Sequence, residues 1–188
     1  MTSDRCNKKW RDSGQFAGSA ASIYHAYWPA GERCIALKKV SNINSGEREV
    51  GILKHFKRLP EHQKNHIIEM FGYGKYLNDR DEEGMYIAME LGDESLLAYR
   101  RRRNPNLYSL LKGAARALEQ FHNHAIHMDI KQSNFVVALV QNNENEIACK
   151  LIDFGSSVLL SNIQSLRSAF MAMIYKAPEI RHAWQVTN

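Results

Sequence analysis

The residues best suited to chemistry lie in one short run. His127-Met128-Asp129-Ile130-Lys131-Gln132-Ser133-Asn134-Phe135 reads H-x-D-x-K-x-x-N, placing a carboxylate, an ammonium and an amide within six residues. Asp153-Phe154-Gly155 follows nineteen residues after Asn134, and Ala177-Pro178-Glu179 comes later. Upstream stand Lys38, which ends Ile35-Ala36-Leu37-Lys38, and Glu49, eleven positions on. Carboxylate and amide oxygens suit a hard cation, and lysines suit anionic oxygens. Each residue alone has a plainer reading. A lysine at a strand end ordinarily faces solvent, and a glutamate on a helix is ordinarily a surface charge. His122, His124 and His127 sit at a helix end and loop, a spacing that favours structure over a metal site.

These residues need a scaffold, and the hydrophobic pattern supplies one. Runs of β-formers predict strands over 22–27 and 33–40, with Pro29-Ala30-Gly31 as the turn between them. Asn44 caps a helix with Glu47 three residues on, and Val50, Leu53, Phe56 and Leu59 recur at helical spacing. Strands over 67–73 and 85–91 flank a charged tip at 78–84. A short helix over 94–103 stops at Asn104-Pro105. A longer one over 107–124 carries the stripe Leu107, Leu110, Leu111, Ala114, Leu118 and Phe121. Two further strands cover 135–140 and 147–152. A mainly β half thus precedes a mainly helical half, with the break near Gly92, which is an α+β class.

Composition excludes several alternatives. The 188 residues are 44% apolar and 24% charged, as in a globular protein with a core of its own. The net charge of +5 selects no partner class by itself, and no aromatic or basic module points to nucleic acid. Three scattered cysteines without a C-x-x-C pair support neither a disulfide framework nor a zinc ribbon. The polar start is no signal peptide, and the longest apolar run is too short to span a membrane.

In this order the motifs resemble the catalytic loop, D-F-G and A-P-E of protein kinases. Ile35-Ala36-Leu37-Lys38 is similar to the V-A-I-K of that family, and Glu49 is placed like its helix-C glutamate. Met89-Glu90-Leu91-Gly92, the basic run Arg100–Arg103 and the segment 126–135 look like the spindle-checkpoint dual-specificity (monopolar-spindle) kinases. The likeness runs from Gln15 to Ile180. It implies a bilobal fold, with a β-rich N-lobe over 1–91 built on one main helix and a partial helical C-lobe over 92–188. It implies ATP-dependent phosphorylation of Ser and Thr, with dual specificity, in spindle checkpoint control. ATP and Mg2+ are the implied cofactors, and a protein substrate and kinetochore-type proteins the implied partners. The implied location is nuclear or kinetochore within this subfamily, and cytoplasmic otherwise.

The resemblance also assigns roles. Asp129 accepts the substrate hydroxyl proton, and Lys131 stabilises the phosphate in transfer. Asn134 and Asp153 hold Mg2+. Lys38 meets the α- and β-phosphates and pairs with Glu49. Met89 is the gatekeeper, and Glu90, Leu91 and Gly92 form the hinge against adenine. Ile23, Ala36 and Val136 are its apolar walls. His127 is a packing residue.

The chain also departs from the family pattern. The register puts G-x-G-x-x-G at 16, 18 and 21, where this chain has Phe16, Gly18 and Ala21, so only Gly18 remains for the phosphate cradle. Met128 replaces the usual arginine, as in the checkpoint kinases. Met171-Ala172 stands where the family has Gly-Thr, which removes a hydroxyl near the substrate. Ser156, Ser157, Ser161, Ser165 and Ser168 are candidate phosphorylation sites. Arg100–Arg103 reads as a solvated helix face ahead of an acid-binding one. Nine residues follow Glu179, where the family continues with more helices. The expectation is a small lobe and the front half of a large one, leaving the stripe of helix 107–124 exposed. The alternative function is a truncated nucleotide-binding pseudokinase or isoform that acts as a non-catalytic interaction module.

Overall fold

A computed structural model describes residues 21–78, 80–141 and 146–161. Four antiparallel strands form the first lobe in the order β1-β2-β4-β3: β1 (Ala21–Trp28), β2 (Arg33–Val40), β3 (Met70–Leu77) and β4 (Glu83–Met89). The turn between β1 and β2 is a 3-10 helix over Pro29–Gly31, closed by Glu32 in the left-handed region. Helix α1 (Ile43–Lys57) crosses the sheet and buries Val50, Ile52, Leu53 and Phe56. Gly46 lets it approach β4, since a Cβ there would stand 2.9 Å from the Cβ of Met85.

The second lobe holds α2 (Leu96–Arg103) and α3 (Leu107–His122). It also holds four short strands, β5 (Ala125–Ile126), β6 (Phe135–Val137), β7 (Cys149–Leu151) and β8 (Val158–Leu159). β6 pairs with β7, and β5 with β8. The α+β bilobal arrangement matches the fold class expected from the sequence.

Local details differ from the sequence reading, each for a physical reason. The cap of α1 is Asn42, not Asn44: its side chain accepts the Ser45 N–H, and Asn44 lies inside the helix. Ile67 and Ile68 do not begin β3. Ile67 bridges to Leu151, and the Ile68 N–H donates to the Leu151 carbonyl, so these residues tie the two lobes together. Helix α2 starts at Leu96 because the Ser95 hydroxyl caps it through the Ala98 N–H. The buried face of α3 is Leu110, Gly113, Ala117 and Phe121, while Leu107 and Leu111 are about half exposed. Gly113 belongs to that face because it abuts the Ile147 carbonyl and leaves no room for a Cβ.

Candidate active site

The sheet register gathers the first group of site residues. Directly opposed residues on a ladder project to the same face. Ile23 opposes Lys38, Lys38 opposes Ile87, and Ala36 opposes Met89. Ile23, Ala36, Lys38 and Met89 therefore share one face, with Met89 buried and Ile23 open at its edge.

On this face the Lys38 ammonium lies 2.7 Å and 2.8 Å from the two carboxylate oxygens of Glu49 and 2.7 Å from Asp153 Oδ1. Glu49 comes from the buried side of α1, one turn before Leu53. Lys38 and Glu49 are almost wholly buried, whereas the Asp153 side chain is 42% exposed. One ammonium thus serves two carboxylates. Burial alone would lower the Lys38 pKa, but Glu49 and Asp153 outweigh it and hold the ammonium well above its ordinary range. Burial pushes the Glu49 carboxyl up against the pull of Lys38. Burial also acts to raise Asp153, but Lys38 prevails there and holds it low. The deeper carboxylate carries the desolvation cost, and the shallower one keeps its charge.

Residues 127–134 form a second group. Lys131 Nζ lies 2.6 Å from Asp129 Oδ2. Asn134 Nδ2 donates to the Asp129 carbonyl at 2.7 Å and to Asp129 Oδ2 at 3.2 Å. Asp129 Oδ1 is buried and has no hydrogen-bond partner among the described residues. His127 anchors the loop: its Nδ1 accepts the Asp129 N–H at 3.3 Å, which leaves Nε2 to donate to the Ile152 carbonyl at 3.1 Å. Burial keeps the ring below its ordinary pKa and therefore neutral. With both nitrogens engaged, His127 is a packing residue, as expected. The Ile152 N–H donates to the Asn134 carbonyl at 2.9 Å, which fixes the loop beside Asp153. Met128 and Asp153 both hold positive φ, near 66° and 67°. Each left-handed side-chain residue costs about 1–2 kcal/mol, so the surrounding bonds must hold this geometry in place.

Aromatic rings back the site. Phe154 stacks on Phe121 at 5.1 Å, and Phe121 stacks on Phe56 of α1 at 5.2 Å. His127 meets the edge of Phe154 at 5.6 Å. Ser157, one of the candidate phosphorylation sites, is buried, and its hydroxyl donates to the His127 carbonyl at 3.1 Å. It is a structural hydroxyl, which corrects that expectation.

Residues 90–92, the segment expected to meet adenine, are positioned from behind. Glu90 turns its carboxylate away from the shared face, to Lys150 at 2.7 Å and the Glu69 N–H at 3.2 Å. Its backbone N–H donates to the Glu69 carbonyl at 2.8 Å, so only its backbone carbonyl is left for a ligand. Gly92 sits so close to Val136 that a Cβ would stand 2.9 Å from Val136 Cγ2. The Asp93 N–H to Val137 carbonyl bond and the Val137 N–H to Glu94 carbonyl bond, both 2.9 Å, hold that approach. Among the described residues the Leu91 and Gly92 N–H groups have no partner. Gly18, Ala177, Pro178 and Glu179 lie outside the described residues, as do Met171, Ala172, Ser165 and Ser168.

The protein kinase domain family model matches residues 14–187. The chain belongs to the protein kinase family. Its activity class is therefore phosphoryl transfer to protein. The donor atoms also fit the metal of that chemistry. Asp153 has one oxygen on Lys38 and a second to offer, and Asn134, with its Nδ2 committed to Asp129, leaves Oδ1 as an acceptor. An all-oxygen set of this kind suits Mg2+. Among the described residues no helix is long and apolar enough to cross a membrane. Motif spacing gave no pointer to Lys150. Its signal is a lone lysine in the apolar run Ile147–Ile152.

Proposed function

We propose that this chain is an ATP-dependent protein kinase acting on Ser and Thr, with the dual specificity and spindle-checkpoint role that its resemblance to the monopolar-spindle kinases suggests. The observation that carries the reading is the buried Lys38 ammonium between Glu49 and Asp153. An isolated ion pair at that depth is a poor source of stability, so its retention is best explained by a charged ligand. The lobes divide between Leu91 and Gly92. Adenine lies on the face shared by Ile23, Ala36 and Met89, walled by Val136, and meets the backbone of Glu90, Leu91 and Gly92. Lys38 orients the α- and β-phosphates while Glu49 holds its ammonium in place. Gly18 contributes the one glycine of the phosphate loop.

The substrate hydroxyl gives its proton to Asp129 as its oxygen attacks the γ-phosphorus, the bond from that phosphorus to the β–γ bridging oxygen breaks, and ADP leaves with the bonding pair. Lys131 leaves Asp129 for the transferring phosphate, whose negative charge is spread over its oxygens. Asn134 and Asp153 would hold Mg2+, which would supply positive charge to the phosphates. The lysine at 131 favours Ser and Thr over Tyr. Kinetochore-type proteins are the proposed partners, and the nucleus the proposed location.

The test is transfer of label from γ-labelled ATP to a mixed Ser, Thr and Tyr peptide library, followed by phosphoamino-acid analysis. Label on Ser and Thr that disappears in Asp129→Asn is the expected result. A chain that binds Mg·ATP but transfers nothing is a nucleotide-binding module, and the reading fails.

A further inference from the structure

Arg48 has no part in the site described above, although it precedes Glu49 on α1. Its Nη1 donates to the Gly155 carbonyl at 2.9 Å, across 107 residues of sequence. Gly155 also lies against the same helix through Ser45, whose Oγ is 2.5 Å from where a Cβ on Gly155 would stand. One turn of α1 therefore grips the residue that follows Phe154. The grip matters because its neighbours are fixed from the other side. Phe154 is locked between Phe121 and His127, and Asp153 sits at positive φ with its carboxylate on Lys38. The backbone on both sides of Phe154 is thus anchored, before it through Asp153, and after it through the Ser157 N–H donated to the Phe154 carbonyl at 2.9 Å and the Arg48 bond to the Gly155 carbonyl.

We propose that Arg48 is a positioning residue for Asp153: by holding the Gly155 carbonyl it fixes the backbone rotation that aims the free Asp153 oxygen at the bound cation. This inference rests on the kinase reading above. Glu49 and Arg48 are adjacent on α1, so one helix sets both the Lys38 ammonium and the Asp153 carboxylate. A displacement of α1 would disturb phosphate binding and cation binding together. Arg48 does not touch nucleotide, and its removal leaves every group that does in place.

The experiment measures binding of a fluorescent ATP analogue to the purified chain during Mg2+ titration, and separately without Mg2+. In Arg48→Ala the Mg2+ midpoint is expected to rise on the order of tenfold, the scale of one charge-assisted hydrogen bond. Binding without Mg2+ stays within about twofold, since no nucleotide contact is lost. Arg48→Lys, which keeps a cationic donor, recovers most of the shift. An unchanged Mg2+ midpoint in Arg48→Ala overturns the proposal, and so does an equal loss with and without Mg2+, which marks a general structural role. Should Arg48→Ala not fold, Arg48→Met, which keeps the length of the side chain and removes every donor, is held to the same two outcomes. A wild-type chain that binds no nucleotide at all overturns the kinase reading itself, a failure distinct from the other two.

Discussion

Two lysine–carboxylate pairs in the site have almost the same separation, yet they are built differently. Lys38 and Glu49 meet at 2.7 Å from two separate elements, with 6% and 1% of their side chains exposed. Lys131 and Asp129 meet at 2.6 Å from positions two apart on one loop, with 32% and 13% exposed. The first pair is deep and its partners are carried by a strand and a helix, so it can break only if the lobe deforms. The second pair is shallow and local, so Lys131 can leave Asp129 at little cost and return. Distance alone does not separate a pair that holds a structure from one that exchanges partners. Burial and the rigidity of the carrying elements do.

The comparison can be broken most severely at Asp129. Asp129→Asn keeps the size of the side chain and removes its basicity. Transfer rates are expected to fall about 10³-fold or more, with nucleotide affinity unchanged, as read from steady-state label incorporation beside a binding isotherm. Lys38→Met comes next and acts on both function and fold. It strands Glu49 in the interior, so urea denaturation should show a loss of about 3–5 kcal/mol together with loss of ATP binding. A Lys38→Met chain as stable as the wild type would refute the contrast between the pairs. Lys131→Ala sharpens it from the other side. Transfer should fall about 10²-fold, while stability changes by less than about 1 kcal/mol, because the pair it breaks is partly solvated.

The smallest effect concerns His127, which links the two regions. Burial holds its pKa, and that of His55, below the ordinary value. An unfolded histidine titrates near about 6.5. Below that pH the unfolded chain binds protons that the fold resists, so stability is present above it and is lost as pH falls through the folded values. The urea midpoint should therefore be lower at pH ~5.5 than at pH ~7.5. His55→Gln should flatten part of that slope.

Much of this architecture is legible in the sequence because it depends on local periodicity. β2 runs over the predicted 33–40, and α1 buries Val50, Leu53 and Phe56 as their spacing requires. The paired positions Lys38 and Glu49 were legible through their motif contexts, and the geometry joins them. What the sequence conceals is long-range. Asn44 reads as the cap because Glu47 stands three residues on, yet the backbone leaving the strand makes Asn42 the cap. Ile67 and Ile68 read as strand, but their partner is Leu151 in β7, 84 and 83 positions away. The grips of Arg48 on Gly155 and Lys150 on Glu90 have no spacing rule at all, since each joins segments that only the finished fold brings together.

The rings of Phe56, Phe121 and Phe154, closed by His127, have one more consequence. Stacked rings with centroids 5.1–5.2 Å apart have no halfway arrangement, because a ring partly withdrawn loses its contacts without gaining water. Phe154 is therefore either in the column or out of it. A population of these molecules would behave as a mixture of two kinds, and any signal that tunes it would change how many are switched on and leave the rate of each one the same.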